Sequence, residues 1–198
     1  MKNYIIIAIA VIFISIVSFF YLFRSKSPYR IDISRTAVIT ELKELNRLET
    51  AVFSIEKIID AQTATTGSIQ QFLFGDRLLL IAHGQVIAGI DLSKLQESDI
   101  QIKEKNITIT LPTPEILIVS IDNAQTKVYD RRTGILAKGD KDLEANARLE
   151  AEKSIRQAAC EGKILDQASE NARRQLTALF RTLSFEQISI TIPTAQCF

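Results

Sequence analysis

The sequence predicts an α+β fold: an N-terminal transmembrane helix followed by one domain with a mainly antiparallel sheet and two long C-terminal helices. Three observations predict it. Residues 4–23 (YIIIAIAVIFISIVSFFYLF) run without a charge, a proline or a glycine. Between residues 49 and 121, apolar side chains recur at period two or in short runs apolar on both faces, as strands require. From Asp140 the period turns helical for about forty residues, with Gly162 near its middle. The expected units are a membrane anchor over 1–24, a juxtamembrane stalk over 25–35 and a single α+β domain over 36–198.

The anchor follows from length. At about 1.5 Å per residue, the run spans roughly 30 Å, the thickness of a bilayer's hydrocarbon core. A continuous helix satisfies its own backbone in lipid, and Tyr4 and Tyr21 stand where amphipathic rings prefer the interface. A cleaved signal peptide needs a shorter run and small residues at its end; here Phe19, Phe20, Tyr21, Leu22 and Phe23 fill that place. The lipid bilayer is therefore the expected partner of residues 4–23. Orientation has two readings. Arg24, Lys26, Arg30 and Arg35 outweigh Lys2 and favour a cytoplasmic domain. A very short tail ahead of the first apolar segment instead acts as a signal anchor and carries the rest across. The cysteines favour this second reading, an extracytoplasmic domain, with a cytoplasmic one as the alternative.

The domain over 36–198 has about 160 residues, enough for one domain with a proper core. Lys2, Arg24, Lys26, Arg30 and Arg35 against Asp32 give residues 1–35 a net charge of +4, so the rest carries −3 of the overall +1. A near-neutral domain argues against nucleic acid, which needs a basic face. The basic cluster behind the anchor suits anionic headgroups.

Along the chain, residues 25–34 (SKSPYRIDIS) form a polar stalk. Val38, Ile39, Leu42, Leu45 and Leu48 lie at helical spacing and predict a short amphipathic helix. Ala51, Phe53, Ile55 and Ile59 share one face of a long strand over 49–63, and 64–68 (ATTGS) is read as a turn. Residues 78–82 (LLLIA) and 85–92 (QVIAGIDL) read as a hairpin turning at His83-Gly84. A second hairpin pairs 100–103 with 106–111, placing Ile107, Ile109 and Leu111 inward and Thr108 and Thr110 outward; Pro112 and Pro114 stop it. Residues 115–121 (EILIVSI) read as another strand.

In the helical tail, Leu143, Ala147, Ala151, Ile155 and Ala158, then Leu165, Ala168, Ala172, Leu176, Leu179 and Leu183, trace one apolar stripe. Glu144/Arg148, Glu152/Arg156 and Glu170/Arg174 stand at i,i+4 on the other face. Gly162 costs about 1 kcal/mol inside a helix relative to alanine, which predicts a break at Gly162-Lys163. Residues 187–192 (QISITI) close the domain as a strand with Ile188, Ile190 and Ile192 toward the core.

The stretches LLLIAHGQVIAGIDLSKL (78–95), ITITLPTPEILIVSID (107–122) and KVYDRRTGIL (127–136), with the helical tail over 142–185 and its G-x-I-L after a kink, resemble a bacterial family known only as domain of unknown function 4230. The resemblance spans about residues 36–193. It implies a membrane-tethered domain of extracellular or periplasmic type and supplies no catalytic residues.

The constellations that carry chemistry are few. His83 is the single histidine, so no two-histidine metal site exists in one chain, and no G-x-S-x-G elbow accompanies it. Tyr129, Asp130, Arg131 and Arg132, followed by Thr133-Gly134, form the densest polar cluster. Two arginines there would fork onto a phosphate, carboxylate or partner; the plainer reading is a turn in which Gly134 supplies positive φ. Asn106-Ile107-Thr108 fits a glycosylation triplet. Cys160 and Cys197 are the two cysteines. A bridge would close a loop of about 38 residues; otherwise Cys160 belongs to the alanine stripe and Cys197 is a free surface thiol.

The expected function is binding of a protein or envelope component without catalysis, with no cofactor, no metal and no catalytic residues assigned. The alternatives are a small-ligand or lipid binder, if the alanine-rich helix leaves an apolar cavity against the sheet, and an enzyme. The enzyme requires Asp91, Asp99 or Asp122 within hydrogen-bond reach of Arg131 or His83.

Overall fold

The computed structural model describes residues 14–16, 18–19, 35–63 and 67–197. The chain divides into two compact units, Met1–Ile33 and Ser34–Phe198. In the first, residues 14–16, 18 and 19 are helical and exposed; the rest of the 4–23 run and the stalk over 25–34 lie outside the described residues. Among the described residues, no helix is long and apolar enough to cross a membrane.

The second unit is α+β. Its elements are α1 (Arg35–Glu44), β1 (Arg47–Gln62), α2 (Ser68–Phe74), β2 (Asp76–Asp91), β3 (Ile100–Lys103), β4 (Asn106–Thr110), β5 (Glu115–Ile121), β6 (Lys127–Thr133), α3 (Leu143–Glu161), α4 (Ile164–Thr182) and β7 (Gln187–Thr191). Two short 3₁₀ turns, Leu92–Lys94 and Glu97–Asp99, join β2 to β3.

The larger sheet is antiparallel and built around β2. β1 runs along one edge of it, from Arg47 opposite Asp91 to Gln62 opposite Arg77. Along its other edge lie β5, pairing with Gly84–Gly89, and then β6, pairing with Asp76–Ile81. The expected turn at His83-Gly84 is therefore not there: β2 is one strand of 16 residues, with His83 opposite Glu56 and Gly84 opposite Ile55. Packing, not turn chemistry, explains the glycine. A Cβ at Gly84 would lie 2.7 Å from the Ser120 carbonyl oxygen and 2.8 Å from Ile155 Cδ1. A strand glycine often marks such a close approach.

Helices α3 and α4 pack on one face of this sheet. Leu78, Leu80, Ala82, Val86 and Ala88 of β2 meet Leu143, Ala147, Ala151, Ile155 and Ala159 of α3 in a core from which water is excluded. The small alanines let the helix lie close, and the period-two face of β2 fills the space. The stripe differs from the expected one at three places. Ala159, not Ala158, is buried; on α4, Phe180 is buried and Leu179 faces outward, as does Leu183 just past the helix end. The helices separate at Gly162-Lys163, where Lys163 takes left-handed φ of 59°. A Cβ at Gly162 would stand 2.9 Å from the Phe53 ring.

A second, three-stranded sheet holds the β3–β4 hairpin and β7, which pairs parallel to β4 with Ile107 opposite Ile188 and Ile109 opposite Ile190. Ile100, Ile107, Ile109 and Leu111 are buried, whereas Ile188, Ile190 and Ile192 are half-buried. Helix α1 packs on β3 and the Leu92–Lys94 turn through a buried face of Val38, Ile39 and Leu42. Leu45, expected on that face, is exposed beyond the helix end, and Leu48 belongs to β1.

Candidate functional site

Among the described residues, covering one face of the larger sheet leaves the other open. On β1 the even positions Val52, Ser54, Glu56, Ile58, Asp60 and Gln62 are exposed. Val52 and Ile58 are 56% and 63% exposed, and Ile118 of β5 is 38% exposed. Register places these side chains in two apolar groups. Ile58 stands opposite Ile81, next to Leu79; Val52 stands opposite Ile87, which in turn faces Ile118. Between the groups lies a polar band, in which His83 Nε2 is 3.1 Å from Glu56 Oε2. His83 is thus a half-buried strand residue, not the turn residue expected.

The Tyr129–Arg132 cluster is strand, not turn. Tyr129 is the extra residue of a β-bulge against β2, since Asp130 pairs with Leu79 and Val128 with Leu80. Alternation sends the two arginines to opposite faces, so they do not converge on one point. Arg132 Nε lies 2.9 Å from Asp130 Oδ2, and Arg131 turns inward to Asp76. Gly134 has no left-handed φ; Gly139, at φ 74°, does.

Asp76 is the polar node at this end of the sheet. Its Oδ2 accepts from Arg131 Nη2 at 2.7 Å and from the Asp140 amide at 2.8 Å; its Oδ1 accepts from Thr133 Oγ1 at 3.2 Å. Arg131 also donates to the Asp140 carbonyl at 2.6 Å. On its other side, the Asp76 amide donates to Thr63 Oγ1 at 2.9 Å. Four segments meet there: the ends of β1 and β6, the start of β2, and the loop entering α3. The Arg131 guanidinium, helped by the Asp140 amide and Thr133, outweighs burial and holds the Asp76 carboxyl down at about 2. Sequence reasoning missed Asp76. Its one local signal is an acid at the head of an apolar run, and its partner lies 55 positions away.

The node supports two neighbours. One is an open groove of about 570 Å³ between the end of β1 and the start of α3, lined by Ile59, Ala61, Leu143 and Ala147 but also by Asp60, Asp140 and Glu150. The other is α2, a helix with no buried residue, of which the sequence reading covers only Ser68, at the end of the 64–68 turn.

The three carboxylates that an enzyme would need, Asp91, Asp99 and Asp122, have local partners. Asp91 bonds Ser93 and Lys94, and Asp99 bonds the Gln96 amide at 2.8 Å. Asp122 accepts from the Gln125 and Ala124 amides, which hold its pKa below the ordinary value. None of the three is hydrogen-bonded to Arg131 or the His83 ring; His83 faces Glu56 instead. Among the described residues, no group of three or more His, Cys, Asp or Glu side chains is placed to hold a metal ion. Cys160, at the end of α3, and Cys197, in the tail after β7, are joined as a disulfide with Cα atoms 5.6 Å apart.

Comparison with curated proteins and with solved structures returns no match. A family model described as "Protein of unknown function (DUF4230)" matches residues 40–190, and the chain belongs to that family.

Proposed function

We propose that the chain is a single-pass membrane-anchored protein whose extracytoplasmic domain binds a protein or envelope component without catalysis. One observation carries the binding reading: the uncovered face of the larger sheet, where Val52, Ile58 and Ile118 stand exposed in register with Ile81 and Ile87. Apolar side chains grouped on a face with polar rims mark interaction surfaces. The hydrophobic length of residues 4–23 supports the tether. The Cys160–Cys197 pairing supports an oxidising compartment, where such bonds persist.

Affinity capture of the full-length chain from detergent extract tests this reading. The proposal expects a co-purifying species that is retained by wild type and lost from Ile58→Asp, while the variant melts at the wild-type temperature. A species captured equally by both proteins would contradict the sheet face as the binding surface.

A further inference from the structure

We propose that the free edge of β1 pairs antiparallel with β1 of a second copy of the chain, centred on Ile55, so that two chains share one continuous sheet. β1 is the outermost strand of the larger sheet and runs for 16 residues. Its outer edge is closed near the start. Thr50 is the extra residue of a bulge against β2. Its carbonyl accepts from Asn171 Nδ2 of α4 at 2.6 Å, and its Oγ1 donates to the Ala168 carbonyl at 2.9 Å. From Ala51 to Gln62, among the described residues, no backbone group outside β2 bonds the β1 backbone. Every second residue of an edge strand turns its amide and carbonyl away from its neighbour. What such a row recognises is another extended backbone.

The side chains identify that backbone as β1 itself. Antiparallel pairing of identical strands sets residues equidistant from one central residue opposite each other, on the same face of the sheet. Centred on Ile55, exposed Val52 meets the partner's Ile58, and buried Ala51 meets the partner's Ile59, apolar on apolar. Ser54 meets the partner's Glu56, and no like charges oppose each other. Neighbouring registers fail. A centre at Glu56 or Lys57 sets that residue against its own copy, and one at Ile58 sets Glu56 against Asp60. A centre at Ser54 sets Val52 against Glu56 and Ala51 against Lys57. Lys57 also selects the register. It shares the covered face with Ile55 and Ile59 and is half-buried, and an inward lysine discourages indiscriminate pairing at an edge. Of these five registers, the one centred on Ile55 alone gives it an aromatic ring, the partner's Phe53, which attracts a cation. The pairing concerns the edge of the sheet and does not depend on what binds the open face.

Cysteine bridging in the full-length protein in detergent tests this. Val52→Cys and Ile58→Cys alter exposed side chains, and Cys160 and Cys197 are already bonded to each other. Within one chain the two positions lie about 20 Å apart along the strand, too far to bridge. Co-expressed Val52→Cys and Ile58→Cys chains, carrying tags of different size, are expected to bridge under mild oxidation. Neither variant alone, nor Val52→Cys with Glu56→Cys, is expected to do so. The bridged species has the mass of two chains, which distinguishes it from an adduct with another protein on the open face. Ser54→Glu opposes Glu56 twice in each pair and is expected to raise the dissociation constant at least about threefold, whereas Ser54→Lys is not. A wild type that stays monomeric overturns the proposal. So does bridging by Val52→Cys alone that equals the mixed pair, and so does a Ser54→Glu chain that associates as tightly as wild type.

Discussion

The Arg131 guanidinium meets the Asp76 carboxylate at 2.7 Å, with the carboxylate side chain 2% exposed and the arginine 36% exposed. This pair fastens β6 and the loop into α3 to the start of β2. Asp76→Asn removes the charge partner while keeping the shape, and is expected to destabilise the domain by roughly 2 kcal/mol. The effect depends on pH with a defined sign. The folded carboxyl sits at about 2, below its ordinary 3.8, so its contribution is present above pH 4 and lost as pH falls from about 4 to 2. Thermal melts across that window check it: the wild type should lose about 2 kcal/mol, and Asp76→Asn should decline less steeply.

Gly84 concerns packing. Gly84→Ala should destabilise by about 1–3 kcal/mol, because the new methyl meets both Ile155 Cδ1 and the Ser120 carbonyl. Removing Cδ1 with Ile155→Val should recover only part of the loss, since the carbonyl contact remains. Denaturant midpoints of the single and double variants check this.

Those two sites mark where sequence reading stops. The β3–β4 hairpin is legible because Ile107, Ile109 and Leu111 alternate with threonines and Pro112 and Pro114 end the strand. The α3–α4 break is legible because Gly162 interrupts one apolar stripe. His83-Gly84 misleads, since a glycine flanked by strands signals a turn as readily as a close approach. What decides between them is Ile155, seventy-one positions on. The Tyr129–Arg132 cluster misleads in the same way: a bulged strand and a turn share polar composition, and Asp76, which fixes Arg131, is remote in sequence. Helix α2 lacks the length for a periodic signal, and its hold comes from Gly134 and Leu136, again far along the chain.

The Cys160–Cys197 bond ties the tail to the end of α3 across 37 positions. Chain entropy gives such a loop roughly 4 kcal/mol, so reduction or Cys197→Ser should lower stability by up to that amount. Alkylation in intact cells followed by non-reducing mass analysis should find neither thiol labelled. Two labelled thiols would place the domain in a reducing compartment and contradict the extracytoplasmic orientation.

Residues 4–23 are expected to span the bilayer and stay attached. Full-length protein should resist carbonate extraction and keep its N-terminal mass. A mature form beginning near residue 24 would replace the anchor with a cleaved signal.

The central claim is that the open sheet face is where a partner binds, and photo-crosslinking in native membranes tests it most directly. A photoreactive residue is placed in the full-length chain at Ile58 or Ile118 on that face, and at Leu149, 58% exposed on α3, as the comparison. The account predicts one adduct of the same mass from positions 58 and 118 and none from 149. No adduct from the sheet face, or the same adduct from Leu149, would contradict it.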